Sequence, residues 1–195
     1  MRYIEKPLLI GGRKFDMRIY VLVTSYVPLR AYVYREGFAR LSGTRYSTDH
    51  IEDRFVHLTN TAIQKKAPDY NPDRGAKWPL INLRRYLTCS RGLQETNAAF
   101  RRVNEVFYYS LQAVQDKVIN DKHCFELYGY DVLFDSELRA WLIEVNASPS
   151  FNTSSDEDRD MKMNVLEDTF NVIDMEKRLS GEEKRVGGFD LITGI

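Results

Sequence analysis

Two strand-like runs, residues 125–134 and 139–145, are separated only by a few residues around Asp135-Ser136-Glu137, a spacing that suits a hairpin. Side chains in a strand alternate with period two, so Glu144 and Asn146 share a face. A tight turn near residues 136–138 then sets Asp131 roughly opposite Glu144, and three oxygen donors converge. Two carboxylates across a hairpin repel each other. Placed beside apolar Leu133, Leu142 and Val145, they also carry a desolvation cost unless a cation lies between them. Oxygen donors without His or Cys suit Mg2+, which keeps some waters and takes the rest of its shell from substrate phosphates. The alternative stays open here: both carboxylates end on a solvated face, and Asn146 merely starts a turn before Ser148-Pro149.

Further elements follow from periodicity. Residues 14–23 alternate, with Phe15, Met17, Ile19, Val21 and Val23 on one face and Asp16, Arg18 and Tyr20 on the other, which predicts a half-buried strand. After Val27-Pro28, residues 29–34 and 38–41 read as two more strands separated at Glu36-Gly37, an antiparallel meander. Residues 43–54 read as loop, and residues 67–75 as a long exposed loop rich in breakers. Pro79 opens a short helix carrying Leu80, Leu83 and Leu87. A longer helix places Phe100, Val103, Phe107, Leu111, Val114 and Val118 at spacings of three and four. Ser154 with Glu157 predicts a capping box ahead of a last helix over 156–179. The tail, 181–195, has little periodicity.

Lys14, Asp16 and Arg18 stand at i, i+2 and i+4 of the first strand and line one face. Lys and Arg so presented can hold phosphate oxygens, and Asp16 can accept from an amino or hydroxyl group. Arg40 can clamp a carboxylate, with Lys77 as a second positive charge. Salt bridges to Asp16 and Glu36 on an exposed sheet are the competing use of these cations. In His57-Leu58-Thr59-Asn60, the small polar side chains can bond a ribose or phosphate, or can simply cap a turn. His57 reads as a satisfied half-core histidine, and Trp78 and Trp141 as core residues.

Net charge is zero, but residues 1–90 carry 16 basic and 8 acidic side chains and residues 91–195 carry 12 and 20. A basic half can steer toward an acidic partner, and a carboxylate-rich half can hold hard cations; two solvated faces of one domain would look the same. With 43% hydrophobic and 29% charged residues, one globular unit is expected, and disorder and low complexity are excluded. No apolar run approaches the roughly 20 residues of a membrane span, and no signal region follows Met1-Arg2-Tyr3-Ile4. Two cysteines and three histidines exclude a disulfide framework and paired zinc spacing, which predicts reduced thiols in the cytoplasm. The Tyr108-Tyr109 pair shows no stacking pattern that argues for nucleic acid.

Five motifs, in order, carry a resemblance. They are Leu9-Ile10-Gly11-Gly12-Arg13-Lys14-Phe15-Asp16-Met17-Arg18-Ile19-Tyr20-Val21, then Gly37-Phe38-Ala39-Arg40, Val56-His57-Leu58-Thr59-Asn60, Phe125-Glu126-Leu127-Tyr128-Gly129-Tyr130-Asp131 and Trp141-Leu142-Ile143-Glu144-Val145-Asn146-Ala147-Ser148-Pro149. Over about residues 2–190 the chain resembles the tubulin-tyrosine-ligase-like family, in its glutamylating branch.

The resemblance implies an α+β, ATP-grasp-like fold with an antiparallel sheet and packed helices. Residues 1–180 would be the C-terminal part of the domain, and 181–195 a partly irregular tail. It further implies an ATP- and Mg2+-dependent ligase that adds free L-glutamate to glutamate side chains in the acidic C-terminal tails of tubulin. Asp131, Glu144 and Asn146 would coordinate Mg2+, and Lys14, Asp16, Thr59 and Asn60 would contact ATP, with Tyr3 and Ile4 near adenine. Arg18 would face the phosphates or the acyl phosphate, and Arg40 and Lys77 would hold the amino acid's carboxylates. The family's phosphate-binding lysine and glycine-rich loop precede the point where this sequence starts, so the chain alone is expected to bind Mg·ATP weakly and ligate poorly. A non-catalytic microtubule-binding module and a related ligase using glycine or tyrosine are the alternatives. A cytoskeletal location, at a cilium or basal body, is implied by the family.

Overall fold

The computed structural model describes residues 2–68, 77–121 and 123–192. Thirteen elements are formed among these residues. Strands β1 (Leu9–Ile10) and β2 (Arg13–Tyr26) are joined by Gly11-Gly12, whose φ values of +58° and +74° are those a two-residue hairpin turn demands. There follow β3 (Leu29–Leu41), the one-turn helices α1 (Arg54–His57) and α2 (Thr61–Gln64), β4 (Lys77–Pro79), α3 (Leu80–Arg91) and α4 (Leu93–Gln112). The chain continues through β5 (Glu126–Phe134), β6 (Ala140–Asn146), α5 (Asp156–Ile173), β7 (Arg185–Val186) and β8 (Phe189–Leu191). Strand neighbours run β6-β5-β2-β3-β8-β7, with β1 on β2 and β4 on β3. The β1–β2, β3–β4, β3–β8 and β7–β8 pairings are antiparallel, and with the helices this makes an α+β chain.

The chain forms two compact units. The first comprises Met1–Arg18, Phe38–Val103 and Asp131–Ile143. Its core takes Phe15 and Met17 from β2, Leu83 and Leu87 from α3, Val103 from α4 and Val132 and Phe134 from β5, all at most 1% exposed. Pro79 precedes the first turn of α3, Leu80, Leu83 and Leu87 form its buried stripe, and Gly92 at φ +87° ends it. The second unit comprises Ile19–Gly37, Asn104–Tyr130 and Glu144–Ile195. Tyr20, Leu22, Tyr32, Tyr34, Val165 and Phe189 are its buried cluster. Burial of a side chain the size of Phe189 contributes about 2–3 kcal/mol.

Several expectations need correction. β2 is buried on both faces and is not a half-buried strand; β3 and β5, its neighbours in the sheet, cover its two edges. Residues 29–41 are one strand without a break at Glu36-Gly37. The reason lies in its partners: β8 pairs with Tyr32–Tyr34 and β4 with Phe38–Arg40, so Glu36 and Gly37 fall in the gap between two partner strands. Helix α4 stops at Gln112, leaving Val114 exposed and Val118 outside it. The last helix is capped by Ser155, whose hydroxyl accepts from Asp158 N, and ends at Asp174 in the left-handed conformation, well short of residue 179. Trp141 is 37% exposed on β6, not core. The tail contributes β7 and β8, and Phe189 within it is fully buried; Gly187-Gly188 is their turn. Most of the breaker-rich segment at 67–75 lies outside the described residues.

Candidate functional site

In the first unit, strand alternation places Lys14, Asp16 and Arg18 on one face of β2, as the pattern predicts. What the pattern does not show is their burial. Lys14 is 8% exposed and Asp16 5%, and the Arg18 side chain is 12% exposed. Arg40 of β3 forks onto Asp16: its Nε donates to Oδ1 at 2.7 Å and its Nη2 to Oδ2. The same Nη2 lies 2.7 Å from Asp131 Oδ2. Arg18 completes the group, with Nε 2.5 Å from Asp131 Oδ1 and Nη2 3.0 Å from Oδ2. Two guanidinium groups and two carboxylates thus form one buried quartet, two bidentate pairs joined by the single Arg40–Asp131 contact. Burial opposes the Arg40 charge, but the bonds and charges of Asp16 and Asp131 outweigh it and hold the guanidinium above its ordinary value.

Lys14 adds a third cation. Its ammonium stands 4.6 Å from the Tyr3 ring centroid and donates to the Tyr3 hydroxyl at 3.5 Å. Burial pulls its pKa down, partly countered by the Asp16 charge. A buried ammonium whose described hydrogen-bond partner is one distant phenol retains donors for an anionic ligand. Lys77 is set directly across from Arg40 by the β3–β4 register, and its Nζ lies 4.5 Å over the Phe38 ring. Ile4 is half-buried in the segment leading to β1.

His57 is 6% exposed with both ring nitrogens bonded, to Tyr3 and to the His50 carbonyl. Asn60 caps α2 through Oδ1, which accepts from Ala62 N at 2.9 Å, so its Nδ2 is the group left for a ligand. Thr59 is 8% exposed. The residue that organises this segment was missed in sequence. Gln64, 3% exposed, donates from Nε2 to the carbonyls of Phe55 and Leu58 at 3.1 and 2.5 Å and accepts from Gly43 N at 2.8 Å. A glutamine in a polar segment offers no pattern that separates it from a surface residue; only its buried bonds do.

In the second unit, Glu144 is exposed and Asn146 half-buried, two residues apart on β6. Asn146 Nδ2 donates to the Gly129 carbonyl at 3.1 Å, which leaves its Oδ1 as an acceptor. Leu142 and Val145 are 37% and 41% exposed. The expected desolvation of Glu144 by apolar neighbours is therefore not found, and Asp131, which is buried, has two arginines to balance it. Among the described residues no group of three His, Cys, Asp or Glu side chains forms a metal cage. The donor chemistry of Asp131, Glu144 and Asn146, two carboxylates and an amide oxygen, still fits Mg2+ that takes further oxygens from phosphate and water. It fits only alongside an anion, because Arg18 and Arg40 already bring two positive charges to Asp131.

The units also differ in charge: 18 basic and 11 acidic residues in the first, 10 and 17 in the second, so the imbalance along the sequence persists in the fold.

Comparison with known proteins places the chain in a family. The chain is 58% identical over 191 residues to a probable tubulin polyglutamylase TTLL9 of Bos taurus, a match covering 98% of this chain and 41% of that protein. It is 53% identical over 190 residues to the probable tubulin polyglutamylase ttll-9 of Caenorhabditis elegans, covering 97% and 46%. To the tubulin polyglutamylase TTLL6 of Homo sapiens it is 38% identical over 207 residues, covering 96% and 23%. The chain thus spans less than half the length of these curated relatives. The model of the tubulin-tyrosine ligase family matches residues 1–180, which takes in every candidate site residue, and the chain belongs to that family.

Proposed function

We propose that this chain carries part of an ATP- and Mg2+-dependent ligase that joins glutamate to glutamate side chains in the acidic C-terminal tails of tubulin. The observation that carries the reading is the buried excess of cations: among the described residues Lys14, Arg18 and Arg40 are set against Asp16 and Asp131, and Lys14 rests on a phenol. Such a group suits a polyanion better than a closed salt bridge does. The names of the relatives supply the substrate, and the positive first unit suits an acidic tail.

In the proposed reaction a tail carboxylate takes the γ-phosphoryl group of ATP and ADP leaves, and the amine of free glutamate then attacks the resulting acyl phosphate. An isopeptide bond forms and phosphate leaves. Mg2+, held by Asp131, Glu144 and Asn146, would supply charge neutralisation on the phosphoryl oxygens. Lys14, with Asp16 behind it, holds the nucleotide, while Tyr3 and Ile4 border the base and Thr59 and Asn60 offer polar groups to it. Arg18 stabilises the negative charge that develops in transfer, and Arg40 with Lys77 orients the carboxylates of the incoming amino acid. A cytoskeletal setting accompanies that substrate.

Glu144→Gln tests the reading. The side chain is exposed, so melting by circular dichroism should be unchanged, while incorporation of radiolabelled glutamate into a tubulin tail peptide should fall at least about a hundredfold. Normal turnover in this variant would discard the metal assignment. Preferential use of glycine or tyrosine in competition would replace glutamate as the donor. Tail binding without nucleotide and without any ligation would make the chain a binding module.

A further inference from the structure

Lys14 is held by a phenol, so whatever fixes the phenol fixes the charge. Around Tyr3 a neutral His57 ring fixes the direction of each hydrogen bond. His57 Nε2 is 3.0 Å from the carbonyl oxygen of His50, which can only accept, so Nε2 carries the ring proton. Nδ1 of a neutral ring is then an acceptor, and it lies 2.6 Å from the Tyr3 oxygen, so the phenol donates to it. With its proton committed, the Tyr3 oxygen turns lone pairs to other donors, and Lys14 Nζ is one of them at 3.5 Å.

The rest of the surroundings keep this arrangement in place. Tyr46 packs edge-on against the His57 ring at 5.7 Å and 88°, and its hydroxyl donates to the Glu5 carbonyl. Tyr3 itself meets the His57 ring edge-on at 5.6 Å. Burial and Tyr46 both push the Tyr3 phenol above its ordinary pKa, so it stays a neutral donor. The His50 carbonyl that orients His57 also accepts from Asp53 N, the N-cap residue of α1, so the backbone that sets the tautomer is itself tied to a helix start.

We propose that His57 is a positioning residue for Lys14, acting through the Tyr3 hydroxyl: its neutral Nε2–H form draws the phenol proton away from the ammonium and leaves the phenol oxygen and ring face to hold Lys14 where an anionic phosphate would meet it. The proposal rests on the reading of Lys14 as a nucleotide contact. Mere structural anchoring of residues 50–57 would use the same His57–His50 bond but would leave Lys14 indifferent to the Nδ1 acceptor.

The two uses separate in side-chain nitrogen spectra of the chain and of three variants, Tyr3→Phe, His57→Gln and His57→Asn. Asn can present its oxygen near the Nδ1 position, whereas Gln keeps a donor toward His50 and loses the acceptor. There are only three histidines to assign. The wild-type spectrum should show His57 as the neutral Nε2–H tautomer. The slowly exchanging Lys14 ammonium signal should be lost in Tyr3→Phe and His57→Gln and kept in His57→Asn. Titration with Mg·ATP should show Kd raised about five- to tenfold in the first two variants and less than about twofold in the third. An Nδ1–H tautomer in the wild type, or a Lys14 signal identical in all four proteins, overturns the proposal. If the spectra behave as stated but the wild type shows no affinity for Mg·ATP, the nucleotide reading fails and the positioning of Lys14 by His57 stands.

Discussion

Two groups of buried ion pairs, one in each unit, treat charge differently. In the first unit, Asp16, Arg40, Asp131 and Arg18 form a chain of shared bonds in which Asp131 accepts from two guanidinium groups. In the second, Asp158 and Lys162, 8% and 4% exposed, form a pair at i and i+4 of α5. Lys162 also donates to the Asn152 carbonyl at 2.5 Å, and Asp158 accepts from the amide and hydroxyl of Ser154 at 3.0 Å. Asp158 lies in the first turn of its helix, where the macrodipole favours a carboxylate. Each charge of this pair therefore has support besides the other. Among the described residues the quartet's members chiefly hold one another, and a ligand that replaced one partner would redistribute the rest. Closed pairs serve the fold; shared ones leave room for chemistry.

Removing one acceptor from each system sharpens that contrast. Asp131→Asn should have the largest effect: Arg18 and Arg40 lose a common anion inside the protein, and stability should fall by about 3–5 kcal/mol in urea unfolding. Ligation should be abolished in the same variant. A loss below about 1 kcal/mol would mean that the arginines find water or other acceptors and that the quartet does not act as one unit. Lys162→Met should cost less, about 2 kcal/mol. Asp158 keeps Ser154 and the helix terminus, and the methionine stem replaces part of the packing. Nucleotide affinity should be unchanged. If Lys162→Met proved the more damaging of the two, the distinction between closed and shared pairs would fail.

How far this was legible in the sequence varies with the range of the interaction involved. Periodicity found β2, α3, α4, β5 and β6, because each carries its own apolar repeat. It placed Lys14, Asp16 and Arg18 on one face. It could not show that this face is buried, since the partners that meet it there include residues far away in sequence, as Asp131 is from Arg18. The unbroken β3 was misread for a related reason: Glu36-Gly37 looks like a turn locally, and only the spacing of β4 and β8 along the strand explains why it is not one. β7 and β8 are too short to show a period, and Gln64 matters solely through three bonds that no motif announces. A desolvated cation site beside Glu144 requires Leu133, Leu142 and Val145 to be buried; Leu133 is, but Leu142 and Val145 are each more than a third exposed. What remains of the metal assignment is donor chemistry and family membership, and Glu144→Gln tests it directly.

The smallest expected effect comes from a carboxylate that is neither shared nor paired with a cation in the core. Asp135 sits in the β5–β6 turn, where Oδ1 accepts from Glu137 N at 2.9 Å and Arg139 N at 3.0 Å, and Oδ2 from Trp141 Nε1 at 3.0 Å. Burial pushes its pKa up, but these three bonds, helped by the Arg139 charge, outweigh it and hold the carboxyl below its ordinary value. A depressed folded-state pKa means that the unfolded chain binds more protons in the interval between the two values. The stability it confers is therefore fully present above the unfolded value of about 3.9 and is lost as pH falls through the folded one. Trp141→Phe removes one of the three donors and should lower stability at pH 7 by about 1 kcal/mol or less, since the indole is partly exposed. The gap between variant and wild type should then close as the pH of urea unfolding is lowered past that interval. A gap independent of pH would assign Trp141 a packing role instead, and the turn would owe its geometry to the backbone bonds of Asp135 alone.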